Sequence, residues 1–87
     1  MVSKKVIVRN KSGLHMRPAS VFVKLCSSFE SDIKFSIRDK NYNGKSLMST
    51  LGAVVKKDDE IEIFTDGKDE KEAMDAIVKE IENGLGE

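Results

Sequence analysis

The chain has 87 residues, 15 of them basic and 15 acidic, so its formal net charge is zero, and 39% of it is apolar. This composition suits a single soluble domain over residues 1–87, not a disordered chain, and the lack of a basic excess argues against a nucleic-acid binder. A lone cysteine, Cys26, cannot form an internal disulfide, and the only apolar run near the start, Val6 to Val8, is far too short for a signal core or a membrane span. The expected setting is the cytoplasm, with no membrane segment and no direct nucleic-acid partner.

Val6, Ile7 and Val8 are β-branched and are followed by Asn10 and Gly13, which predicts a first strand. From 16 to 29 the pattern becomes helical, with Ala19, Phe22, Cys26 and Phe29 at steps of three and four and Val23 and Leu25 widening the stripe. Cys26 falls on that stripe and reads as core. Ile33, Phe35 and Ile37 alternate with Lys34, Ser36 and Arg38, a strand with one wet face. Asp39-Lys40 is the expected turn, and Asn41 to Asn43 the returning strand. Ser46 opens a brief helix holding Leu47, Met48 and Leu51, with Gly52 near its end. The run Lys56 to Glu60 reads as a solvated turn. Ile61 and Ile63 give a fourth strand, with a turn at Thr65-Asp66-Gly67. The last helix begins near Asp69 and carries Ala73, Ile77 and Ile81 on one stripe, beside Met74, Val78 and Leu85. Acidic residues crowd its first turn, where they complement the helix dipole. The final residues, with two glycines, are expected to be loose.

The order is β-α-β-β-α-β-α. One stripe per helix and one apolar face per strand imply two layers, an α+β fold. Three helices should cover one face of a four-stranded, mainly antiparallel sheet, leaving the other face to water.

The segment that carries chemistry runs from Asn10 to Ser20, Asn-Lys-Ser-Gly-Leu-His-Met-Arg-Pro-Ala-Ser. It joins the first strand to the first helix and holds the only histidine and the only proline. Pro18 suits a first helical turn, where the N–H it lacks would have no partner. His15 then stands at the helix start. The positive end of the helix dipole and the nearby Arg17 both disfavour an imidazolium, which leaves a ring nitrogen free to attack phosphorus. A phosphoryl group on that nitrogen would meet the unpaired amides and the guanidinium. By spacing alone, however, such a histidine is most often a surface residue or a cap.

The neighbouring residues change that balance. Gly13-Leu14-His15-Met16-Arg17-Pro18-Ala19 resembles the active-site motif of the HPr family, the phosphocarriers of the bacterial phosphoenolpyruvate:sugar phosphotransferase system. Lys45-Ser46-Leu47-Met48 is similar to the family's regulatory serine segment and stands in register with it. The resemblance implies an open-faced β-sandwich. It also implies a carrier, not an enzyme, that needs no cofactor. His15 would accept phosphate through Nδ1 from phosphorylated Enzyme I, with Arg17 helping to bind it. The phosphate would pass to the A domains of sugar permease complexes.

Ser46 by itself is a natural helix N-cap. The resemblance implies more, namely phosphorylation by an ATP-dependent HPr kinase/phosphorylase and recognition by a catabolite-control repressor. It also implies an exposed apolar patch of Leu47 and Met48 near His15, and Met16, Ser20, Lys24 and Leu51, the last partly core, are expected beside it in the partner interface of a monomeric chain. Met16 and Ser20 stand where small residues are frequent in the family, which bears on partner preference. The alternative is a purely regulatory relative acting through Ser46 alone, and the presence of His15 speaks against it. No metal set or P-loop is present, and no Ser/His/Asp triad can be assigned.

Overall fold

The computed structural model describes residues 1–87. Its elements are β1 (Val2–Ile7), α1 (Met16–Ser27), β2 (Asp32–Ile37), β3 (Lys40–Asn43), α2 (Leu47–Gly52), β4 (Glu60–Asp66) and α3 (Glu70–Glu82). The strands form one sheet in the order β1-β4-β2-β3. All three pairings are antiparallel, with Val6 opposite Ile61, Phe35 opposite Ile63, and Phe35 also opposite Tyr42. The three helices share one face of the sheet, so this is an open-faced β-sandwich.

Strand alternation decides which face is covered. Ile33, Phe35, Ile37, Ile61, Ile63 and Thr65 are buried on the helix side. Lys34, Ser36, Glu62 and Phe64 point the other way, and Lys34 is exposed. α1 contributes Pro18, Ala19, Phe22 and Cys26, and α3 contributes Ala73, Met74, Ile77, Val78 and Ile81. Phe22 meets Phe35 edge-on at 5.6 Å, and Phe35 stacks on Tyr42 at 5.5 Å, so aromatic contacts tie α1 to the sheet. Cys26 lies in this core, and burial pushes its thiol up to about 12, which makes it a poor nucleophile.

Several boundaries differ from the sequence reading, each for a local reason. β1 begins at Val2 because β4 offers partners as far as Thr65. It stops short of Val8, which instead bonds through both backbone groups to Asp58 and Asp59. α1 ends at Ser27, with Ser28 and Phe29 closing its last turn. The hairpin turn is Arg38-Asp39, not Asp39-Lys40, and both turn residues have positive φ (51° and 63°). Thr65 and Asp66 belong to β4, since Thr65 is fully buried and its hydroxyl donates to the Glu70 carbonyl at 2.9 Å.

The tail is not loose. Leu85 is buried, and Glu87 bonds back to the loop before α1. No helix is long and apolar enough to cross a membrane.

Candidate functional site

The loop between β1 and α1 is fixed from inside. Leu14 is 2% exposed, and its amide donates to the Val55 carbonyl at 3.0 Å. Gly13 adopts φ +60°, and a side chain there would run into the backbone of Val55 and Lys56. Only glycine allows this close approach of two loops. Asn10 is buried, and its Nδ2 donates to the Gly13 carbonyl at 2.8 Å, closing the loop on itself. His15 therefore leaves a rigid base although its own side chain is exposed.

His15 is the N-cap of α1, with an extended backbone at φ −77° and ψ −178°. Its Nδ1 accepts from the Met16 amide at 3.1 Å, and its carbonyl accepts from the Ala19 amide at 2.8 Å. An Nδ1 that accepts carries the lone pair, which puts the ring proton of the neutral imidazole on Nε2. Pro18 has no amide to satisfy, and the Arg17 amide has no acceptor. The Arg17 side chain is exposed and makes no ion pair or hydrogen bond within the chain. A ring nitrogen that accepts a hydrogen bond, a free amide and a free guanidinium thus stand together at the positive end of a helix.

Beside His15 runs an apolar groove of about 500 Å³ lined by Ser12, Leu14, His15, Met16, Leu51, Val54, Val55 and Lys56. Of the expected interface residues, Met16 and Leu51 line it. Ser20 lies one helical turn beyond Met16, and its hydroxyl donates to the Met16 carbonyl at 2.8 Å. Lys24 lies a further turn along and is exposed. On α2, which packs against α1, Met48 is 80% exposed, whereas Leu47 is half-buried against the core. Ser46 is the N-cap of α2, its Oγ accepting from the Ser49 amide at 3.1 Å.

Three features were not found from the sequence. Val54 and Lys56, both exposed, wall the groove. Arg38, in the β2–β3 turn, donates to the carbonyls of Ala53 and Val54 and pairs with Asp59 at 3.6 Å. Glu87 accepts from Asn10 Nδ2 at 2.8 Å, the Ser12 amide at 2.9 Å and the Ser12 hydroxyl at 2.7 Å. Those bonds, with a smaller share from the Arg17 charge, hold the Glu87 carboxyl down at about 2. No periodicity marks any of these residues, because each acts through a loop.

Comparison with known proteins identifies the family. A family model described as "PTS HPr component phosphorylation site" matches residues 2–83. The chain belongs to the HPr family. It is 37% identical over 87 residues to the phosphocarrier protein HPr of Neisseria meningitidis serogroup A, covering 100% of this chain and 98% of the other. It is 39% identical over 82 residues to the HPr-like protein Crh of Halalkalibacterium halodurans, covering 94% and 98%. Among solved HPr structures, HPr-C-His from Thermoanaerobacter tengcongensis superposes with a TM-score of 0.97 at 37% identity, covering 100% and 98%. An HPr dimer from that organism superposes at 0.80, also at 37% identity and with both chains covered in full. The existence of such a dimer in the HPr family weighs against the expectation of a monomer.

Proposed function

We propose that this chain is a phosphocarrier that accepts a phosphoryl group on His15 Nδ1 from phosphorylated Enzyme I and passes it to the A domains of sugar permease complexes. The observation that carries the reading is the acceptor role of Nδ1 toward the Met16 amide beside an unpaired Arg17. In the free protein that nitrogen offers its lone pair. Attack on phosphorus forms the N–P bond as the bond from phosphorus to the donor breaks, and the displaced group leaves with its electron pair. The amides of Met16 and Arg17 and the guanidinium then face phosphoryl oxygens, charge-assisted partners that were absent before transfer. The arrangement holds the group without burying it, as a relay requires. The chain is the substrate of Enzyme I, not a catalyst in its own right, and the cytoplasm is the compartment this role implies.

The test is phosphoenolpyruvate with Enzyme I on the wild type and on His15→Ala. An acid-labile, base-stable phosphate on the wild type alone is the expected result. Full labelling of His15→Ala would overturn the reading.

Likeness to a Crh protein favours a second role, regulation through Ser46. The Ser46 hydroxyl is half-buried at a helix start, where added phosphate is tolerated electrostatically. In this role an HPr kinase/phosphorylase modifies Ser46, and the extra charge weakens docking to Enzyme I and recruits a catabolite-control repressor. ATP, the kinase and mass spectrometry test it. An unmodified Ser46 removes this role while leaving the carrier reading intact.

A further inference from the structure

Two asparagines are followed directly by glycine, in Asn43-Gly44 and Asn83-Gly84. An asparagine in such a pair can react with its own backbone. The amide nitrogen of the next residue attacks the side-chain carbonyl carbon, and glycine, which has no Cβ, leaves that approach open. The two pairs are chemically alike, and the fold treats them differently.

Asn43-Gly44 is locked. Gly44 is buried, and its amide donates to the Ile33 carbonyl at 2.9 Å, extending the pairing of β3 with β2. The Asn43 side-chain oxygen accepts from the Lys45 amide at 2.9 Å, and the Asn43 amide donates to Ser49 Oγ at 2.9 Å. Attack here requires the sheet edge to open. Asn83 instead is exposed at the C-cap of α3. The Gly84 amide is held only by the Ile81 carbonyl, at 3.1 Å, in the last helical turn, where fraying is easiest.

That turn carries a further duty. Gly84 adopts φ +91°, and the Leu85 amide donates back to the Glu80 carbonyl at 3.1 Å. With the bond from Gly84 to Ile81 this is a Schellman ending, whose following apolar residue packs inward. Leu85 is accordingly fully buried, and Glu87 is delivered to Asn10 and Ser12 in the loop before His15. Both back-bonds depend on the number of backbone atoms between Asn83 and Gly84.

We propose that Asn83 is a site of spontaneous deamidation, and that its isoaspartyl product undocks the tail from the loop before His15. A bond forms between the Gly84 nitrogen and the Asn83 side-chain carbonyl carbon. The bond from that carbon to Nδ2 breaks, and the departing nitrogen takes up the Gly84 amide proton and leaves as ammonia. Water then opens the cyclic imide. Opening at the side-chain carbonyl gives aspartate in an unaltered backbone. Opening at the main-chain carbonyl gives isoaspartate, whose backbone runs through Cβ and is longer by a carbon. The added carbon takes the Gly84 and Leu85 amides out of register with Ile81 and Glu80, so Leu85 leaves the core and Glu87 leaves Asn10 and Ser12. This modification does not depend on the carrier reading.

Ageing the full chain in warm, mildly alkaline buffer tests it, with peptide mass mapping and labelling by an isoaspartyl methyltransferase. Asn83 should be converted at least roughly tenfold faster than Asn43. Asn83→Gln should take up no methyl label. An NMR titration of the Glu87 side chain then reads the docking of the tail. In the isoaspartyl form Glu87 should titrate near its ordinary 4.5, whereas in the unaged chain, and in Asn83→Asp, which adds the charge without the carbon, it should stay at about 2. Comparable conversion of Asn43 and Asn83 overturns the proposal. So does a purified isoaspartyl form in which Glu87 still titrates as in the unaged chain.

Discussion

At the scale of single residues, two carboxylates do unusual work. Glu87 serves three donors in the loop before His15, and Asp69 accepts from the amides of Glu30 and Ser31 and from the Ser31 hydroxyl. Both are held at about 2, against ordinary values of 4.5 and 3.8, chiefly by these hydrogen bonds. In the unfolded chain they take up protons first as pH falls, while the folded chain stays ionised. Their stabilisation is complete above about pH 5 and is lost as pH falls toward 2. Denaturation midpoints measured from pH 7 to 2.5 should drop over that window. Glu87→Gln and Asp69→Asn should each flatten the drop, and an unchanged acid limb in both variants would deny these bonds a role. Arg17 is the opposite case, a charge with no hydrogen bond or ion pair inside the chain and only a minor influence on Glu87. Arg17→Ala should therefore leave stability within about 0.5 kcal/mol of the wild type. The rate of phosphoryl uptake should fall by about 10²-fold, the scale of losing one pre-placed donor to a developing anion. Stopped-flow transfer and thermal denaturation on the same sample measure both.

At the scale of elements, the caps decide what the helices can do. α2 is only six residues long, so its start depends heavily on Ser46. Ser46→Ala should cost about 1 kcal/mol, whereas Ser46→Asp should keep the cap and the stability while adding charge. Thermal denaturation of both variants separates the structural duty of the hydroxyl from any regulatory one. The same comparison shows what a sequence makes legible. The N-cap Ser46 could be read directly, because a serine precedes the short helix, and Pro18 placed His15 at or just before the start of α1; strand alternation showed the buried sheet face. The hairpin turn was misplaced by one residue because Arg38 is a poor residue for φ +51°, and only its reach to Ala53 and Val54 explains it. Thr65 read as a turn residue because its hydroxyl is polar, yet that hydroxyl is satisfied by α3 and the residue is buried. The tail looked loose for its glycines, but Gly84 and Gly86, with Leu85 between them, take positive φ to fold Leu85 into the core and Glu87 onto the active loop. Contacts between loops distant in sequence leave no periodic trace, and they are what completed the site.

At the scale of the whole molecule, a net charge of zero conceals a sharp division. The first 24 residues hold six basic side chains and no acidic one, while residues 58–87 hold 12 of the 15 acidic side chains. Arg17 and Lys24 belong to the basic part, on the exposed side of α1, and neither forms an ion pair within the chain. Arg17, Lys24 and Lys56 lie around His15 with the Glu87 carboxylate among them, and that excess of cations steers an acidic partner over roughly a Debye length, about 10 Å at 0.1 M salt. Uptake of phosphate measured as kcat/KM should then fall as salt rises, because salt screens encounter while leaving the chemistry at His15 untouched. Lys24 is more than two turns along α1 from His15, too far to bond a phosphoryl group held there. Lys24→Gln should lower kcat/KM at low salt by only a small factor, roughly twofold to fivefold, and leave kcat unchanged. It should also make the dependence on salt shallower, so that the variant and the wild type converge near 1 M, where the screening length is about 3 Å. Parallel salt curves for the two proteins would show that the basic face takes no part in the encounter, and that docking rests on the apolar groove alone.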